Sequence, residues 1–171
     1  MSKRLWLMIA LQIVLLLTIV GKYQYVAYTG QLITLKTAPV DPVDPFYGDY
    51  VTLNYEIALV DGNRVPHDVK LVDYGKRVYV VLQKKANPWY EAVGVYREKP
   101  MANAGQVVLA GTLQYVDEYA GKQIHIRYGV ERYYVTENTG RDIENRRDEL
   151  SMVEIRVAGS GDAVIQRLVF K

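Results

Sequence analysis

The pattern of apolar and polar positions changes character twice along the chain. Residues 5–20 are apolar except for Gln12 and Thr18, a run that predicts a helix rather than a strand. Sixteen helical residues rise about 24 Å, short of a hydrocarbon layer of about 30 Å. The helix is therefore expected to continue past Gly21. Lys22 then directs its ammonium to water, Tyr23, Tyr25 and Tyr28 sit at interfacial depth, and Trp6 anchors the opposite end. Pro39, Pro42 and Pro45 follow at every third position, which favours an extended, semi-rigid spacer.

From Val51 the period becomes two. Val51, Leu53, Tyr55, Ile57 and Leu59 share one face, with Thr52, Asn54 and Glu56 on the other, and this predicts one half-buried strand over 51–59. Asp61-Gly62-Asn63 ends it with turn chemistry. Strand-like segments recur at 77–83, 91–97, 106–115, 123–128, 131–135, 152–158 and 163–170. Gly111 interrupts the fourth of these eight segments and suggests a bulge. Residues 145–149 are charged and lack β-branched side chains, so a short helix led in by Thr139 is expected there.

These elements predict a mainly β protein. An N-terminal transmembrane helix leads into an antiparallel β-sandwich or small barrel of about eight strands with one short helix. The expected organisation is a cytoplasmic tail at 1–4, a transmembrane signal anchor at 5–28, a Pro-containing stalk at 29–45 and an extracytoplasmic β-rich domain at 46–171.

Charge sharpens the topology. Lys3 and Arg4 account for the whole formal charge of +2, because the chain from Leu5 onward holds 19 basic and 19 acidic residues. A positive start with no comparable excess beyond the apolar run places the N-terminus in the cytoplasm. The balanced remainder lacks the basic concentration a nucleic-acid partner needs. A cleaved signal peptide has the same basic start and apolar centre, but the Tyr-rich stretch 21–30 offers no A-x-A-like cleavage site, which favours an uncleaved anchor. The chain has no cysteine, which removes disulfides, thiolate catalysis and an N-terminal lipid-modified cysteine.

Candidate chemistry is sparse. His67 and His125 are the two histidines, with no HExxH or paired spacing, so no metal is expected. Serine occurs at Ser2, Ser151 and Ser160, without a G-x-S-x-G elbow. There is no glycine loop followed by Lys-Ser or Lys-Thr, so no nucleotide or other cofactor is expected. Asp49, Glu56, Glu131 and Glu144 are carboxylates from which a hydrolytic pair would have to come.

The segment Gly48-Asp49-Tyr50-Val51-Thr52-Leu53-Asn54-Tyr55 resembles the motif for which the GDYXXLXY family is named, and every specified position matches. The likeness continues through Val93-Gly94-Val95-Tyr96, Ile126-Arg127-Tyr128-Gly129-Val130-Glu131-Arg132-Tyr133-Tyr134-Val135 and Gly140-Arg141-Asp142-Ile143-Glu144. The resemblance implies a bacterial inner (cytoplasmic) membrane protein, single-pass, and a multi-spanning membrane protein as partner. It carries no catalytic residues.

The residues themselves admit two readings. Gly48 and Asp49 turn the chain into the strand, Leu53 and Tyr55 fill the core, and Tyr50 faces away; alternatively Asp49 and Tyr50 bind. In the second motif Glu131, Arg132, Arg141 and Glu144 lie beside Tyr128, Tyr133 and Tyr134. They predict either ion pairs pinning helix to sheet or a polar pocket in which Arg132 and Arg141 hold an anionic group. The function expected is that of a non-enzymatic envelope protein, anchored in the lipid bilayer, whose β-domain binds another membrane protein or an envelope ligand. The alternatives are a carboxylate-based envelope hydrolase and a small-ligand binding module.

Overall fold

The computed structural model describes residues 3–38, 50–117, 122–134 and 150–170. Helix α1 runs Lys3–Thr29. It has a mean hydropathy of 2.2 over its most apolar window, none of which is buried. Its 27 residues rise about 40 Å, so it is long and apolar enough to cross a membrane.

Ten strands in three antiparallel sheets follow among the described residues. Strands β1 (Gln31–Lys36), β9 (Leu150–Val157) and β10 (Ala163–Phe170) form the first, in the order β1-β9-β10. Strands β2 (Tyr50–Thr52) and β8 (Arg132–Tyr134) form the second. The third contains β3 (Leu59–Asp61), β4 (Arg77–Lys84), β5 (Tyr90–Tyr96), β6 (Gln106–Val116) and β7 (Gln123–Arg127), in the order β3-β7-β6-β4-β5. The outer edge of β5 is covered by the segment leaving β3. The Val95 amide donates to the Pro66 carbonyl at 3.0 Å and the Asp68 amide to the Val95 carbonyl at 3.2 Å. This sheet therefore comes close to closing on itself. One core joins all three sheets: Ile33, Leu35, Val153 and Ile155 from the first, Val51 from the second, and Val78, Val80, Leu109 and Ile124 from the third. The mainly β fold with an N-terminal apolar helix is the one the alternation predicts.

Three local departures have physical causes. The run 51–59 is not one strand. A 3-10 turn at Glu56–Ala58, closed by the Ala58 amide on the Tyr55 carbonyl at 2.9 Å, separates β2 from β3. Val51, Leu53, Tyr55 and Ile57 are buried as expected, but the turn puts the alternation out of phase. Leu59 emerges to solvent and Val60 goes inside. Second, the span read as the start of a stalk contains β1, whose Ile33 and Leu35 are buried against β9. Its six residues sit between a helix and a proline series, and neither neighbour advertises a strand. Third, the irregularity in β6 falls between Leu113 and Tyr115. Gly111 instead lies against β7, where a Cβ would come within 2.5 Å of Ile126 Cγ2.

The helix joins the domain without a spacer. Gly30 alone separates α1 from β1, and Val26 is buried against Ala158 and Val164. The Arg156 guanidinium donates to the Gly30 carbonyl at 3.0 Å, and Lys22 Nζ lies 3.1 Å from Asp162 Oδ2.

Candidate functional site

The two motifs meet at paired interruptions of the sheet. β2 and β3 pair with β8 and β7 respectively, so the break between β2 and β3 faces the turn Tyr128–Glu131. Two tyrosines cross this gap in opposite senses. The Tyr55 hydroxyl donates to the Val130 carbonyl at 2.5 Å, and the Tyr128 hydroxyl donates to the Ile57 carbonyl at 2.6 Å. The Leu53 amide adds a bond to the Glu131 carbonyl at 2.8 Å. Both rings are buried. Burial, with the nearby Glu131 charge adding to it, pushes both phenols far above their ordinary value. They act as neutral donors at any physiological pH, each answering a carbonyl that a broken strand leaves without a ladder partner.

Glu131 stabilises the turn from within. Its Oε1 accepts the Tyr128 amide at 2.5 Å and its Oε2 accepts the Gly129 amide at 2.8 Å. Gly129 adopts φ +80°, a region that other residues enter only at a cost. Glu131, read from sequence as an ion-pair partner, thus uses both carboxylate oxygens on backbone amides. Tyr133 is half-buried against the core and Tyr134 is exposed. Tyr50 pairs its backbone with Tyr134 and Val51 with Tyr133. Gly48, Asp49, Arg141, Glu144 and the expected short helix lie outside the described residues.

Beside this junction lies an open groove of about 1120 Å³. One wall is the end of α1, with Ile19, Lys22, Tyr23 and Val26; the others come from β2, β4, β6, β7, β8 and β10. Among the described residues, Lys22, Arg77, Arg127 and Arg132 line it with the carboxylates Glu131 and Asp162. Both carboxylates are occupied: Glu131 by the two amides, and Asp162 by Lys22 at 3.1 Å, Arg77 at 2.9 Å and the Ser160 hydroxyl at 3.1 Å. Burial opposes the charge on Asp162, but these hydrogen bonds outweigh it and hold its carboxyl below the usual range.

The floor is ordered by strand register. Arg77 on β4 stands opposite Thr112 on β6, and Thr112 stands opposite Arg127 on β7. Directly opposed residues share a face, so the Arg77 and Arg127 side chains leave the sheet on the same face as Thr112. Their strands are about 10 Å apart, two inter-strand spacings. Arg132 on β8 faces Thr52 on β2 at the adjoining margin.

The sequence predicts Tyr128, Glu131 and Arg132 as parts of one polar site and Tyr23 as an interfacial residue of the helix, and it does not point to Lys22, Arg77, Arg127 or Asp162 as parts of that site. Arg127 lies inside the second family motif and Asp162 inside a turn signal. Only pairing across three strands and docking of the helix bring them together. Trp6, Tyr25 and Tyr28 are exposed on α1 and do not line the groove.

A second cavity of about 370 Å³ is bounded by Lys36, Glu56, Trp89 and Glu91, among others. Its charges pair locally: Lys36 with Glu56 at 2.6 Å beneath the Trp89 ring, and Lys85 with Glu91 at 3.0 Å. Glu56 and Glu131 therefore line different cavities.

The family model described as GDYXXLXY protein matches residues 12–168. No curated protein and no solved structure matches the chain.

Proposed function

The chain belongs to the GDYXXLXY protein family, and from that premise we propose that it is a non-enzymatic, single-pass envelope protein. Its N-terminus lies in the cytoplasm of a bacterium, and its β-domain recognises another membrane protein or an envelope ligand at the outer surface of the inner membrane. One observation carries this reading: the end of the apolar helix and both family motifs contribute to the same groove. A helix that served only to tether would not be built into the wall of the domain. Lys22 is bound to Asp162 and Val26 is buried, which argues against removal of the helix by cleavage. Leu71, Val72 and Tyr74 stand exposed on the 3-10 turn leading into Gly75 at the groove, and they add apolar surface beside the membrane-proximal end.

Site-specific photocrosslinking in native membranes tests the proposal. A photoreactive residue at Thr112 is expected to give a discrete adduct, whereas one at the fully exposed Met101 gives none. Equal labelling at both positions would reject recognition in the groove.

A further inference from the structure

We propose that the groove holds the phosphate of an anionic membrane lipid, bound between Arg77 and Arg127 over the Thr112 hydroxyl. This deepens the reading of the groove as a recognition site and rests on it.

The register places Arg77 and Arg127 on one face with Thr112 between them, an arrangement in which one anion can bridge two cations. Arg77 is already drawn toward Asp162 at 2.9 Å. Arg127 is exposed and makes no ion pair or side-chain hydrogen bond among the described residues. Every carboxylate oxygen among the described lining residues has a donor, and Arg127 has no carboxylate of its own among them. The remaining affinity is therefore for an anion. A phosphate oxygen set spanned by two guanidinium forks is the geometry that arginine suits best.

The helix wall selects a lipid over free phosphate. Ile19 lies 16 residues beyond Lys3, about 24 Å along the axis, which is inside a hydrocarbon layer of about 30 Å. Lys22, at about 28 Å, reaches the edge of that layer, and Val26, at about 34 Å, lies beyond it. The groove thus begins where acyl chains end and continues into basic residues where headgroups lie. A lipid can enter sideways along Ile19 and Tyr23 with its phosphate reaching the β4–β6–β7 row.

The test is native mass spectrometry of the full-length chain released from detergent micelles. The protein is titrated with phosphatidylglycerol, with phosphatidylcholine, and with phosphatidylglycerol in the presence of millimolar inorganic phosphate. One phosphatidylglycerol is expected to bind at least tenfold more tightly than phosphatidylcholine, and inorganic phosphate is expected not to displace it. Arg127→Gln should weaken retention about tenfold while melting at the wild-type temperature, and Arg64→Gln, remote from the groove, should leave retention unchanged. Equal binding of the two lipids, displacement by inorganic phosphate, or identical behaviour of the two variants would overturn the proposal. If lipid binding fails while the Thr112 probe captures a protein, the recognition reading stands and only the lipid falls. If neither is seen, both fall.

Discussion

Two hydroxyls carry much of the motif's physical meaning. Phenylalanine would preserve the packing of Tyr55 and Tyr128 but would leave the Val130 and Ile57 carbonyls buried without a donor. An unsatisfied buried polar group costs about 1–3 kcal/mol. Tyr55→Phe and Tyr128→Phe should each lower the unfolding free energy of the full-length protein by that amount, read from urea titration followed by tyrosine fluorescence. Because both bonds close one gap, the double variant should lose less than the sum of the single losses. Unchanged midpoints would show that the hydroxyls are incidental. Gly129→Ala acts by a different route, forcing a Cβ into φ +80°, and should cost about 1–2 kcal/mol without removing any contact.

At the scale of elements, the junction of α1 with β10 depends on Asp162. Its carboxyl is held below the ordinary aspartate value of about 3.9. A depressed folded value contributes stability that is fully present above about pH 4 and is lost as pH falls through the lower folded value. Acidification from pH 5 to pH 2 should therefore loosen the helix from the domain. Faster amide hydrogen exchange at the start of β10 would report it. Asp162→Asn should show this faster exchange already at pH 5 and little further change on acidification. A variant that keeps the full acid response would place its origin elsewhere, with Glu154 the next candidate because Arg167 holds its carboxyl low.

At the scale of the whole molecule, the apolar helix packs against the domain through Val26, Ala158 and Val164. The chain has no cysteine, so spin labels introduced at Tyr28 and Met101 report on their separation alone. A single narrow distance is expected for the wild-type background. Val26→Asp puts a charge into the contact with Ala158 and Val164, where an unpaired buried charge is strongly unfavourable. It should broaden the distribution while leaving the melting of the β-core in place. A broad distribution in the parent would mean that the helix is only a tether.

An N-terminal apolar helix and a mainly β remainder were legible in the sequence alone, whereas β1 and the 3-10 turn within 51–59 were not. Fourteen apolar residues among the sixteen from Leu5 to Val20 favour leaving water, and alternation at period two leaves one face to bury, so an apolar helix followed by a β-domain is legible without coordinates. The burial of Leu53 and Tyr55 was legible for the same reason. Tertiary structure decided which strands pair and where they break. The 3-10 turn after Tyr55 reverses the phase of Leu59 and Val60 for the sake of a contact 75 residues away in the chain, and no local pattern records a partner at that distance. The same holds for the groove. Arg77, Thr112 and Arg127 are ordinary strand residues until β4, β6 and β7 align them, and Lys22 is an ordinary interfacial lysine until the helix docks. Local propensities are written in neighbouring residues, whereas a site assembled from six strands and a helix exists only once the chain has closed upon itself.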